Sequence, residues 1–372
     1  MEGPAKEILF KMPTAERPQY TQKLLEILAS PSNIIVKMTT YRKKWIPAKT
    51  YTAPESLEGK LAWVVCVDAK KIDKEYVAQR FMPIRQVRIA KALVDGDNLV
   101  LWLETQEYLS CDDYDKFAEE LKDNLESLPP AEQSYIAFDV PTSALPSVKI
   151  VDSSEYSRVN EAWKKIVDSL GSMEVYRNAV FYRIVGVSKD SIYLETEKAG
   201  DKHKPKKYYR LKVNETYRLQ IDYSLPDKQF ELCPQEIRVS ANEWMKIYNE
   251  FKIDDRVGSL SVAVKTLPTS DEYPYKQTTS LRVSLENRQL IAPLVSILVM
   301  FAREGFLGRF RRNFELIIWA IVLGGFFWCG TILSDAHAAV FGIPASTIGN
   351  GLSALTIMAL PMVLAKLLRK GI

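Results

Sequence analysis

Leu316-Ile-Ile-Trp-Ala-Ile-Val-Leu-Gly-Gly-Phe-Phe-Trp-Cys-Gly-Thr-Ile-Leu-Ser334 runs between Glu315 and Asp335 without a charge. At a helical rise of about 1.5 Å per residue, roughly 19 residues span about 28 Å, close to the hydrocarbon core of a bilayer. Buried helices of soluble proteins are rarely so uniformly apolar, so this run is expected to cross a membrane. A second apolar run covers residues 348–364 and ends at Lys366. Asn350 and Pro361 interrupt it, which a spanning helix tolerates when a neighbour satisfies the freed polar groups. A short connection, residues 334–347, joins the two, so the second run is expected to return to the starting side.

Orientation follows from the flanks. Arg303, Arg309, Arg311 and Arg312 precede the first run, and Lys366, Arg369 and Lys370 follow the second. The connection contains no Lys or Arg. Positive flanks stay on the cytoplasmic side, so both chain ends are expected there. The sequon Asn214-Glu215-Thr216 then reads as a chance match, and the N-terminal residues lack the apolar core of a signal peptide. Inside the runs, Ala320, Gly324 and Gly325, and Gly349 with Ser353, are small residues at spacings that let helices approach closely. They pack the hairpin on itself or against another protomer. Asn350 and Ser353 add hydrogen-bonding groups at membrane depth.

The rest of the chain is polar in character. Of 372 residues 26% are charged, and the mean hydropathy of -0.13 averages two unlike parts. A net charge of +4 is too mild to mark a nucleic-acid binder. Cys66, Cys111, Cys233 and Cys329 are far apart, which suits reduced thiols rather than a disulfide framework or a zinc site. The two histidines, His203 and His337, lie in a lysine-rich loop and in the membrane connection. No phosphate-binding, metalloprotease or nucleophile-elbow motif is present. No catalytic residue, metal or cofactor is therefore expected. The carboxylates Asp112, Asp113, Asp115, Asp254 and Asp255 stand at helix starts or turns, where they serve as caps.

The expected fold class is α+β: a β-rich soluble body, an antiparallel sandwich or small barrel, with flanking helices and the transmembrane hairpin. Residues 1–32 read as a helical segment, with a helix over 14–28 ended by Ser30-Pro31-Ser32. A first α/β unit covers 33–150, with strands at 33–40, 61–68, 84–94 and 99–104 and a helix at 113–128. A second, β-rich unit covers 151–287. It opens with a helix at 155–170 and continues with strands at 175–187, 191–195, 208–213, 215–223, 229–232, 259–265 and 278–285. The letters Ser240-Ala-Asn-Glu243 suggest a capping box opening a helix that buries Trp244, Ile247 and Phe251. Arg88-Ile89 with Leu103-Glu104-Thr105, and Arg183-Ile184 with Leu194-Glu195-Thr196, suggest either a diverged duplication or two hairpins alike by chance. Residues 288–312 form a juxtamembrane segment. Its apolar stretch 290–302 is too short to span and reads equally as an in-plane helix or as a core element. Residues 313–372 form the hairpin.

Two basic clusters stand beside aromatics. One is Arg42, Lys43, Lys44 and Trp45; the other is Lys202, Lys204, Lys206, Lys207 and Arg210. Such groups hold phosphates, lie on an anionic leaflet, or are solvated loops. The leading expectation is a membrane-anchored, non-enzymatic sensor or effector. Its cytosolic body binds an anionic small molecule, a nucleotide or a protein partner, and its hairpin anchors or perturbs the bilayer on homo-oligomerisation. In layout the chain resembles the two-transmembrane effectors of bacterial defence systems, which join a soluble sensor to membrane helices. The alternatives are a tether recruiting a partner protein, and a membrane-bound enzyme without a legible motif.

Overall fold

The structure is a computed structural model. It describes residues 6–13, 18–41, 52–72, 75–126, 136–141, 145–198, 205–225, 235–248, 251–253, 255–267, 279–285 and 291–302, with 325, 328–329, 332, 339–340, 343–344, 347–348 and 350 further on. The chain divides into two compact units, residues 1–302 and 303–372.

The first half of unit one is a mixed sheet between helices. β1 (Lys6–Pro13), β2 (Ile35–Tyr41), β3 (Leu61–Ile72), β4 (Glu75–Asp95), β5 (Asn98–Cys111) and β6 (Ile136–Pro141) lie in the order β2-β5-β4-β3-β1-β6, and β7 (Val148–Val151) pairs with β5. β1 runs parallel to β3, so the sheet is not purely antiparallel. The N-terminal segment is therefore strand as well as helix. Its strand escapes an alternation test because both of its faces are covered: Ile8, Phe10 and Met12 enter one core and Leu9 the other. Helix α1 (Pro18–Ala29) has Pro18 in its first turn and buries Tyr20, Leu24, Leu25, Ile27 and Leu28 against one face. Helix α2 (Tyr114–Glu126) buries Phe117 and Leu121 on the opposite face. As expected of a cap, Asp113 Oδ1 accepts the Lys116 amide at 2.9 Å. The β4–β5 turn closes between Asp95 and Asn98, with Gly96 at φ +58°.

Helix α3 (Tyr156–Gly171) packs on the same face as α1. Val159, Ala162, Trp163, Ile166, Val167 and Leu170 recur at helical spacing and are all buried. A short 3-10 turn, Glu174–Tyr176, follows, so the strand expected from 175 begins only at 181.

The second half is two sheets that share one core. β8 (Phe181–Lys189), β9 (Ile192–Tyr193), β10 (Thr196–Lys198), β11 (Lys207–Lys212), β12 (Thr216–Ser224), β13 (Gln235–Ser240), β14 (Met245–Tyr248), β15 (Phe251–Ile253), β16 (Val257–Thr266), β17 (Thr279–Leu285) and β18 (Val295–Ala302) form the orders β10-β11-β18-β17-β13-β15 and β14-β16-β12-β8-β9. Side chains of β8, β12 and β16 and of β11, β17 and β18 meet in a single cluster. Tyr182 ties the sheets together, its hydroxyl donating to the carbonyls of Val283 (2.8 Å) or Pro293 (2.6 Å). Leu219, Ile221 and Tyr223 of β12 point into this core, as the alternation there predicts.

Two expectations change here. The capping-box letters at 240–243 precede not a helix but β14, whose Met245 is buried and Lys246 exposed, with Phe251 in β15. The stretch 290–302 contains β18, so it is a core strand of the body: Val295, Ile297, Val299 and Phe301 are buried at every second position. β18 is parallel to β11 and antiparallel to β17. The two sheet systems differ in strand order, and Arg88 is exposed whereas Arg183 is buried. The strand expected at 229–232 lies outside the described residues.

In the second unit, residues 325, 328–329 and 332 are helical, as are 347–348 and 350. Between them Ala339–Val340 pairs antiparallel with Ile343–Pro344. Trp328 and Ile332 are 70% and 56% exposed. Among the described residues no helix is long and apolar enough to cross a membrane, and most of both apolar runs lies outside them.

Candidate functional site

Five buried charged side chains, Arg85 and the pairs Arg183–Asp222 and Lys207–Glu104, lie where the mixed sheet, α1, α3 and the sandwich meet, and each is committed to holding elements together. Arg85 of β4 is fully buried. Its guanidinium donates to the carbonyls of Ile27 (2.9 Å), Ser30 and Gln106 (2.8 Å) and to Ser32 Oγ (3.0 Å), and stacks 4.3 Å from the Tyr108 ring centre. It thus satisfies carbonyls left open around the end of α1, where a cation also suits the helix dipole.

Arg183 of β8 and Asp222 of β12 form an ion pair at 2.8 Å, each side chain 3% exposed. The carboxylate also accepts from Tyr156 Oη at 3.0 Å and from Ser259 Oγ. Arg183 lies over the rings of Tyr156 and Trp163, each 5.4 Å away. Burial, then the neighbouring carboxylate, push the Tyr156 hydroxyl above its ordinary value, so it stays a donor. The arrangement clips α3 to the sandwich. A carboxylate that already accepts four donors is poorly placed to act as a base.

Lys207 of β11 reaches Glu104 of β5 at 2.7 Å, with 9% and 5% exposure, linking the sandwich to the mixed sheet. The basic cluster expected around it therefore divides. In β11, Lys207, Tyr208 and Tyr209 are all buried, while Arg210, and Lys206 just before the strand, are exposed. Arg210 bridges Glu197 at 3.2 Å on the surface. Lys202 and Lys204, and the cluster Arg42, Lys43, Lys44 and Trp45, lie outside the described residues. So do Ala320, Gly324, Gly349 and Ser353 and the flanking Arg309, Arg311, Arg312, Lys366, Arg369 and Lys370; Gly325 and Asn350 are described and helical. Cys66 and Cys111 are buried, and burial pushes the Cys111 thiol up.

A cleft of about 670 Å³ opens where α3 ends beside β8 and β12. Val167, Met173, Phe181 and Leu225 make a buried apolar floor. Asp168 and Glu174 stand at the rim on the α3 side, with Arg177 just beyond and Arg256 ahead of β16. A volume of this order takes a small organic molecule. None of these residues was marked by the sequence, because α3, the 3-10 turn and the ends of β8, β12 and β16 contribute them from separate stretches. A smaller, polar cavity of about 340 Å³ lies around Asn33, Thr196 and Lys207.

No protein-family model and no curated protein matches this chain.

Proposed function

We propose that this protein is a membrane-anchored, non-enzymatic sensor or effector. Its β-rich body, on the cytoplasmic side, takes up a small ligand or a protein partner. A hairpin of two transmembrane helices within residues 313–372 holds the bilayer, and on oligomerisation perturbs it. The observation that carries this reading is β18. It lies inside the six-stranded sheet between β11 and β17, and the residue after its end, Arg303, begins the second unit. On this reading, a change in the packing of the body reaches the segment that carries the apolar runs along the chain that leaves β18. The exposure of Trp328 and Ile332, one helical turn apart, suits a helix that offers an apolar face to lipid. The one-sided Lys and Arg flanks support the cytoplasmic orientation. Of the second basic cluster, the exposed Lys206 is the described residue that suits an anionic ligand or leaflet, since Arg210 already faces Glu197.

The test uses the full chain in liposomes loaded with a self-quenching dye. Asn350→Leu and Gly324→Leu are expected to alter both the crosslinked oligomer ladder and dye release, with the melting of the body unchanged. If both variants match the wild type in ladder and release, the hairpin is not an active element.

A tether that recruits a partner protein is the second reading. The observation favouring it is the short edge strand β9, whose Ile192 and Tyr193 are exposed beside Tyr156, an apolar patch of the kind partners cover. Stoichiometric capture of one protein by the wild type, lost in Ile192→Asp and without dye release, would select it.

A further inference from the structure

The geometry points to a binding site for a small dipolar molecule, with an apolar body, one anionic and one cationic group, in the cleft at the end of α3. The inference deepens the sensor reading and rests on it for its purpose, since it names where and what the body senses.

Three features converge. The floor is apolar and buried: Val167, Met173, Phe181 and Leu225 form it, with a thioether and an aromatic ring among them. The rim is charged and divided by sign. Asp168 and Glu174 lie where α3 ends, and the last carbonyls of a helix carry partial negative charge that reinforces theirs. The Asp168 and Leu170 carbonyls are turned to that end, where both accept the Ser172 amide. Arg177 and Arg256 supply the opposite sign. Among the described residues, the side chains of Asp168, Glu174 and Arg177 enter no salt bridge, although Glu174 and Arg177 are only three residues apart. A purely anionic ligand would meet two carboxylates, and a purely cationic one two guanidinium groups. A molecule with both charges offers Asp168, Glu174 and Arg177 a complement, while its apolar part covers the floor.

The wall also contains a position that can be filled without strain. Gly171 lines the cleft, and a Cβ built there meets nothing closer than Phe181 Cε2 at 4.0 Å. A larger side chain at 171 therefore projects into the open space.

The test is calorimetric titration of the full chain, in detergent or nanodiscs, with L-phenylalanine, 3-phenylpropionate and 2-phenylethylamine. These probes share an apolar ring and carry both charges, the anion alone or the cation alone. L-phenylalanine is expected to bind at least about tenfold more tightly than either singly charged probe. Arg177→Gln should weaken L-phenylalanine and 3-phenylpropionate and spare 2-phenylethylamine; Asp168→Asn combined with Glu174→Gln should do the reverse for the singly charged pair. Gly171→Leu should abolish binding of all three with the melting temperature held. Absence of binding by L-phenylalanine at millimolar concentration, equal affinity for the three probes, or full binding to Gly171→Leu would overturn the assignment. Binding that obeys these variants without any change in dye release leaves the cleft standing and removes the effector reading. Dye release that depends on the hairpin, with no binding, does the opposite.

Discussion

Lys11 lies in β1 opposite Val65 of β3, almost wholly buried, and burial pulls its ammonium group down to about 8. In the unfolded chain the same group titrates near 10.5. Between those two values the unfolded chain binds the extra proton, so this group makes stability rise with pH across that window. The buried tyrosines act the other way. Burial pushes the hydroxyls of Tyr182, Tyr209 and Tyr217 well above 10, so the folded state keeps protons that the unfolded chain loses above about pH 10. The body should therefore gain stability from about pH 8 to 10 and lose it beyond. Lys11→Met is expected to raise stability at pH 7 by up to ~3 kcal/mol and to flatten the rise, while keeping the alkaline loss. Urea titrations at pH 7, 9 and 11 measure this, and an unchanged slope in the variant would dismiss the assignment to Lys11.

Among the elements, α3 is clipped to the sandwich by one buried ion pair. Asp222→Asn leaves Arg183 buried without its counter-ion, at a cost of about 3–5 kcal/mol. Because Tyr156, Asn160 and Trp163 all lie on α3 and all approach that pair, the loss should fall locally. Hydrogen exchange of α3 amides is expected to accelerate more than that of β4. Equal acceleration across both elements would mean that the pair stabilises the body globally rather than clipping the helix.

The same elements mark where sequence reading succeeds. α3 was legible because one face alone is buried, giving the spacing of Val159, Ala162, Trp163, Ile166 and Leu170. The first half of β12 is legible for the corresponding reason at period two, with Tyr217 and Leu219 buried between more exposed neighbours. β1 was not, since both its faces are covered and its parallel partner β3 begins some fifty residues later. The start of β14 reads as a helix because Ser240 and Glu243 carry the letters of a capping box, while the alternation of Met245, Lys246 and Ile247 is short. At the candidate cleft nothing was legible. Its acids and arginines are ordinary surface residues in the sequence, and only the ends of α3, β8 and β12 bring them to one rim. Lys207 was noticed for its charge, but its neighbours gave no sign that Glu104, about a hundred positions earlier, would neutralise it.

At the scale of the molecule, the body is one unit to Ala302, and its halves are linked by buried charges and by core residues that each half lends to the other. The Lys207–Glu104 bridge is one such link. In a double-mutant cycle of Lys207→Met and Glu104→Leu, either single change is expected to cost about 3–5 kcal/mol, and the pair together much less. Additive losses in denaturant melts would show that the two groups act independently.

β18 also sets an order of events in synthesis. Its neighbours β11 and β17 are made first, and their facing edges stay unpaired until residue 302 exists. By then the ribosome is approaching the apolar run that begins at Leu316. On the membrane-anchored reading proposed above, a nascent chain would hold its sandwich open until delivery to a membrane is already due, and folding and targeting would compete for the same interval.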